Sequence, residues 1–271
     1  IFLNPTVAVK VHDRVYVGAG VNVIKSAVTL DRRVTLSSSL EDDIDVKLSA
    51  DTWGVGATAG VLIKVLPDLL NVGINYRSAA KLSFEGSAGF TKDGSVDNIS
   101  TGLRTRLVDD NVEGELTLPH VIGFGIAAFP LDDLTVGFNF EVTTWSTYDE
   151  LAFDFENNPE LSSSEPKNWE NAITVRVGAE YRLLPALALR AGFIFDQSPV
   201  PQASLGPELP DGDRYEFTLG GGYEFLDFRV DLAYQFLTTG ELETIDASPL
   251  QGTYTAAAHL VGLSLGYKLD I

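Results

Sequence analysis

A period of two runs through this chain and sets what it can fold into. In Ile173–Arg182 the odd positions read Ile173, Val175, Val177, Ala179 and Tyr181, and the even ones Thr174, Arg176, Gly178, Glu180 and Arg182. Leu187, Leu189, Ala191, Phe193 and Phe195 alternate with Ala188, Arg190, Gly192, Ile194 and Asp196. The same rhythm carries Tyr215, Phe217, Leu219, Gly221, Tyr223 and Phe225, and then Phe228, Val230, Leu232, Tyr234 and Phe236. Successive side chains of a strand point to opposite faces, so this is the signature of strands with one apolar face. No long stretch at helical period competes with it. The pattern predicts roughly eleven strands, at about 3–11, 14–30, 46–65, 70–86, 115–129, 134–153, 171–183, 187–196, 214–225, 228–237 and 255–270. Many exceed the roughly 5–6 residues usual for soluble strands and match the roughly 9–11 needed to cross a bilayer.

The connections say more. Short links fall at His12-Asp13, Leu66-Pro67-Asp68-Leu69, Pro130-Leu131-Asp132-Asp133, Leu184-Pro185-Ala186 and Leu226-Asp227. Long links fall near 31–45, 87–114, 154–170, 197–213 and 238–254, and short and long alternate throughout. Tight turns on one side and long loops on the other are the habit of outer-membrane barrels. The expected fold is therefore all-β, a transmembrane antiparallel β-barrel forming a single domain over residues 1–271.

Composition agrees. Apolar residues make up 45%, yet no run is long enough for a transmembrane helix. A formal net charge of −19 speaks against binding nucleic acid, which needs a basic face. With no cysteine, disulfides, zinc–thiolate sites and thiol nucleophiles are all excluded. The chain has no methionine and begins at Ile1. Its first and last strands both run toward the short-turn side, whereas a closed bacterial barrel has an even strand number. The expectation is an odd number of further strands upstream. The long loops carry much of the acid, including Glu41, Asp42, Asp43, Asp45, Asp109, Asp110, Glu113, Glu115, Glu156, Glu160 and Glu165. Solubility of exposed loops accounts for this, since no D-x-D-x-D-G pattern organises it for calcium.

Motifs for catalysis fail on context. Gly262-Leu263-Ser264-Leu265-Gly266 fits G-x-S-x-G, but it sits inside the last expected strand with no His after it. Gly54-Val55-Gly56 with Gly60 has the wrong spacing for a dinucleotide loop and shares one strand face. His12, His120 and His259 lack metal-ligand spacing. No catalytic residue, metal site or cofactor is expected. Alternation places Arg77, Lys81, Glu85, Arg176, Glu180, Arg182, Arg190, Glu216, Glu224, Arg229 and Asp231 opposite the apolar band, hence in the lumen, as an ion-pair network.

Further local motifs run in order through nearly the whole chain. They are Gly18-Ala19-Gly20-Val21-Asn22, Trp53-Gly54-Val55-Gly56, Tyr76-Arg77-Ser78, Lys81-Leu82-Ser83-Phe84-Glu85-Gly86, Leu118-Pro119, Thr144-Trp145-Ser146 and Trp169. The most specific are Asp196-Gln197-Ser198-Pro199-Val200-Pro201 and Pro210-Asp211-Gly212-Asp213-Arg214. Together they resemble the long-chain fatty acid transporter family of outer-membrane proteins, which includes the toluene and xylene uptake channels. The resemblance implies a monomeric fourteen-stranded barrel with an N-terminal hatch, of which this chain would hold eleven strands. It implies passive uptake of fatty acids or hydrocarbons across the bacterial outer membrane, in contact with lipid and lipopolysaccharide and without enzymatic chemistry. It also implies basic residues for a fatty acid carboxylate. One falls on Arg32; the position of its Lys partner falls near Glu165, with Lys167 the nearest candidate. A general porin for small polar solutes is the alternative reading.

Overall fold

The computed structural model describes residues 1–35, 43–92, 109–157, 159, 162–204, 211–243 and 252–268. Its strands are β1 (Phe2–Leu3), β2 (Thr6–His12), β3 (Val15–Thr35), β4 (Asp43–Leu66), β5 (Leu70–Arg77), β6 (Ala80–Lys92), β7 (Asp110–Leu118), β8 (Val121–Leu131) and β9 (Leu134–Thr143). They continue with β10 (Glu150–Phe155), β11 (Ser163–Pro166), β12 (Ala172–Leu184), β13 (Leu187–Asp196), β14 (Arg214–Phe225), β15 (Phe228–Thr239), β16 (Leu242–Glu243), β17 (Thr253–Tyr254) and β18 (Ala257–Tyr267). All pairings are antiparallel and all but β16–β17 join one sheet. Joining β1 to β2, β5 to β6, β7 to β8 and β9 to β10 recovers the expected eleven barrel strands. β11, β16 and β17 belong to the long connections. Among the described residues, β2 and β18 are paired on one side only.

The alternation read from sequence is the wall of the barrel. Val177, Leu219, Leu232, Leu263 and Leu265 are exposed on the outer face, although apolar. Such a continuous greasy surface is tolerable only against lipid. The opposite face is concave and carries the polar positions. Aromatic pairs stiffen the outer surface, such as Phe193–Phe217 at 5.3 Å and Phe228–Tyr267 at 4.9 Å between centroids.

Three strands depart from the simple reading. The segment expected as one strand over 70–86 is two strands, β5 and β6, separated at Ser78-Ala79. Beside it, Pro119-His120 separates β7 from β8, with Arg77 opposite Val121 and Ala80 opposite Leu118. The third break, between β9 and β10, holds a single 3-10 turn at Trp145–Thr147. The first two breaks each add one residue to the alternation and so exchange the faces. Below them Val72, Ile74 and Tyr76 point outward; above them Ala80, Leu82 and Phe84 point inward, and Lys81 and Glu85 point outward. Lys81 and Glu85 therefore leave the lumen, where alternation alone had put them. A one-residue slip turns every later side chain over, which is why period counting across the break misleads.

The barrel assignment makes a measurable distinction. Val177→Arg or Leu232→Arg should cost about 2–4 kcal/mol if near the bilayer midplane. Thr218→Arg, on the concave face, should cost much less. Equilibrium unfolding of the protein in lipid bilayers measures both.

Candidate functional site

The breaks divide the wall into two zones of opposite polarity. In the lower zone the outside is apolar, and the inside of β3, β4, β5 and β8 is stripped to small residues. Gly18 faces Gly60 across one ladder, and Gly73 faces Gly125 across another. The result is a concave groove of about 470 Å³, mostly apolar, with Thr6, Thr58, Asn75 and Asn139 as its polar lining. In the upper zone the polarity reverses. Ile24, Ala80 and Leu82 are buried inside, packed with Phe84, Leu116 and Leu118. Outside stand Lys81 and Glu115, paired at 2.6 Å, and Lys25, which pairs with Asp51 and lies 5.1 Å over the Trp53 ring. Polar outside and apolar inside is the arrangement of a chain in water, so the breaks mark where the wall leaves the bilayer.

Close approach at the break depends on two glycines. Strand β4 pairs with β5 over Thr58–Leu66 and with β6 over Ile44–Asp51, and the ladder is missing between. There the chain at Ser78–Leu82 crosses the inner face of β4. A Cβ on Gly54 would run into Leu82 Cδ2, and one on Gly56 would lie 3.2 Å from Ser78 Oγ. The Trp53-Gly54-Val55-Gly56 motif thus supplies an inner face without side chains where Leu82 must lie. The break itself is stitched by backbone and side chain. Ser78 N donates to Ala57 O at 2.8 Å, and Ala57 N donates to Ser78 Oγ at 2.8 Å. His120 Nδ1 accepts from Ala79 N at 3.1 Å and lies 2.8 Å from the Tyr76 hydroxyl. His120 N donates to Thr144 Oγ1 at 3.0 Å, tying in the third break.

On the other side of the barrel the inner charges do form an ion-pair network. Arg190 on β13 reaches Glu180 at 2.6 Å and Asp231 at 2.8 Å, the latter across the whole of β14. Gly222 makes that span possible, because a Cβ there would strike Asp231 Oδ1 and lie 3.2 Å from the guanidinium. Arg229 joins Asp231 at 2.7 Å, and Arg176 donates to Asn139 Oδ1 at 2.9 Å. Each cation is held by neighbours on the wall rather than presented to the centre.

The two most specific motifs lock to each other in the loops above β13 and β14. Ser198 Oγ donates to Asp211 Oδ2 at 2.8 Å, and Ser198 N donates to Asp213 Oδ1 at 2.9 Å. Arg214 lies 3.3 Å from Asp211 and 3.6 Å from Asp196. Nearby, Trp169 packs edge-on against Trp145 and Tyr148, each at 5.0 Å. Burial, and then the Glu165 carboxylate, push the Tyr148 phenol above its ordinary value, so it is neutral at physiological pH.

The residues expected to hold a carboxylate are placed as follows. Arg32 is opposite Val46 in the β3–β4 ladder, and its side chain lies outside the described residues. Lys167 lies just after β11, its side chain largely buried and its Nζ held by Glu165 at 2.6 Å. Glu41, Asp42 and Glu160 also lie outside the described residues. Among the described residues, no cluster of three or more acidic or His side chains fit to hold a metal ion occurs. Ser264 stands in the β15–β18 ladder opposite Asp231, on a strand and not at a nucleophile elbow. The apolar cluster around Leu82 escaped sequence reasoning, because its residues read as an outer face until the slip at Ser78-Ala79 is counted.

A lipid-facing strand wall with a small-residue lumen face and an apolar cluster packed on its inner side defines the wall of an outer-membrane β-barrel. The chain belongs to the family of outer membrane protein transport proteins (OMPP1/FadL/TodX), whose model matches residues 1–269. It is 26% identical to outer membrane protein P1 of Haemophilus influenzae over 98% of this chain and 64% of the relative. It is 25% identical to the long-chain fatty acid transport protein of Escherichia coli K12, over 81% of this chain and 49% of that protein. A Pseudomonas aeruginosa FadL homologue shares the fold, with a TM-score of 0.79 at 22% identity, covering 97% of this chain and 65% of that one. The Ralstonia pickettii toluene transporter TbuX shares it too, with a TM-score of 0.69 at 18% identity, covering 98% and 67% respectively. The chain thus spans about two thirds or less of the curated relatives it matches.

The packing of the apolar cluster is open to test. Gly54→Val should displace Leu82 and destabilise the protein by about 1–3 kcal/mol, the usual cost of overfilling a packed site. Gly54→Ala should fall in the same direction by less. Denaturant titration of the protein in detergent or bilayers reads both.

Proposed function

We propose that this chain forms most of the wall of a barrel that takes up hydrophobic molecules passively across the bacterial outer membrane. The observation that carries this is the reversal of polarity at Ser78-Ala79 and Pro119-His120, which packs an apolar cluster of Ile24, Ala80 and Leu82 on the inner side of the wall. Below it the lumen continues as the glycine-lined groove. A greasy solute gains by leaving water for such a surface, and small side chains leave it room to move on. The fatty acid and toluene transporters among the similar proteins support the same class of cargo. The general porin reading fits less well, since an open aqueous pore has no use for a buried apolar cluster at its mouth, and Arg176, Arg190 and Arg229 are paired to neighbours on the wall.

In this reading the cargo is a long-chain fatty acid or a hydrocarbon, and the barrel works as a monomer without catalysis. Arg32 meets the carboxylate of an acidic cargo near the extracellular rim. Lys167, held by Glu165, assists only if that pair opens. The outward Lys25, over the Trp53 ring, and Lys81, paired with Glu115, face the polar region of outer-membrane lipid and lipopolysaccharide.

The test is uptake by cells that lack their own transporter of this kind. With the protein in their outer membrane, they should take up labelled palmitate or hexadecane several-fold faster than cells without it. The purified protein in planar bilayers should pass little ionic current. Steady, porin-sized conductance without enhanced uptake would overturn the reading in favour of the porin.

A further inference from the structure

Asn22 is a buried polar residue that the uptake reading has not yet used. It ends the Gly18-Ala19-Gly20-Val21-Asn22 motif on the inner face of β3 and is only 2% exposed. Its Oδ1 accepts from Asn4 Nδ2 at 2.5 Å, at the end of a short relay in which Thr6 Oγ1 donates to Asn4 Oδ1. In this arrangement Oδ1 is the end of the amide that faces Asn4. The other end, Nδ2, is buried without any acceptor. A buried donor left unpaired is costly, and folded proteins rarely keep one without a reason.

The surroundings suggest the missing partner. Asn22 stands opposite Gly56 in the β3–β4 ladder, two residues below Ile24 of the apolar cluster. On the other side, Gly18 and Gly20 lead down toward the lumen groove, which Gly18 lines. The residue therefore lies between the apolar cluster and the groove. Beside it, Ser78 and Ala80 cover Gly56. That covering stretch crosses the gap in the β4 ladder between Asp51 and Thr58, where Ser78 is held by Ala57 and Ala79 by His120, so a cargo oxygen reaches Asn22 by opening these few bonds.

We propose that Asn22 Nδ2 is a specificity-determining donor for a carbonyl or carboxylate oxygen at the head of an aliphatic cargo, whose chain lies in the groove lined by Gly18, Gly60 and Gly73. This deepens the uptake reading and rests on it. An amide is uncharged, so it recognises the acceptor oxygen and not the charge. The site is distinct from Arg32, which is ten residues further along β3, or about 33 Å of extended strand.

The experiment uses protein purified from outer membranes and three probes of equal chain length: palmitate, methyl palmitate and hexadecane. Asn22→Ala should weaken palmitate and methyl palmitate alike, by about tenfold, the loss expected from a single hydrogen bond to a buried donor. Hexadecane binding should be unchanged. Asn22→Asp should weaken palmitate further than methyl palmitate, because a carboxylate then faces a carboxylate. Asn22→Ser, which keeps a hydroxyl donor, should recover part of the loss and guards against a misfolded Ala variant, as does unchanged heat-modifiable migration. Equal losses for all three probes, or none, would overturn the role of Asn22 while leaving the uptake reading in place. A wild-type protein that binds none of the three would overturn both.

Discussion

Everything in this structure follows from the need of a backbone in hydrocarbon to find all its hydrogen-bond partners in neighbouring strands. Once the strands are laddered, the period of two leaves each segment a single choice: which face meets lipid. The long ladders of β12 to β15 and β18, regular but for a bulge at Arg182–Leu184 beside the turn, make that choice once and keep it. Strands β5 to β8 make it twice. Their extra residues at Ser78-Ala79 and Pro119-His120 reverse the choice where the surroundings change from lipid to water.

The reversal solves a problem that a straight barrel leaves open. Above the bilayer, an apolar exterior would be exposed to water. Turning the faces over puts Lys81, Glu85, Glu113 and Glu115 outside and Leu82, Phe84, Val112 and Leu116 inside with one added residue per strand. The inner surface at this level can then close around Gly54 and Gly56, because β4 offers no side chains there. His120 suits the joint, since one ring nitrogen meets both the Tyr76 hydroxyl and the Ala79 amide, and Pro119 beside it has no amide hydrogen to satisfy.

Much of this was legible in the residues. The alternation along β12 to β15 is clean enough to assign both faces, and the alternating connection lengths point to a barrel before any coordinate is known. The breaks were not legible. Tyr76-Arg77-Ser78 and Lys81-Leu82 read as one strand, since nothing in Ser78-Ala79 resembles a turn, and a slip of one residue is visible only through its partners. The long-range reach of Arg190 to Asp231 was hidden for a similar reason: period two gives the face of each residue but not which strands it can span. Asn22 looked like part of a family motif, and only its burial beside an unsatisfied amide nitrogen sets it apart.

The interlock of Ser198 with Asp211 and Asp213 bears on how such barrels diversify. The two segments belong to one long connection, yet about ten residues separate them, and each supplies what the other lacks: Ser198 donates and the aspartates accept. Arg214, at the foot of β14, is tied both to Asp211 and to Asp196 on β13. The connection is thereby clasped at its base, like a drawstring. The clasp holds the ends of β13 and β14 in register at the rim independently of the chain that runs between its two halves.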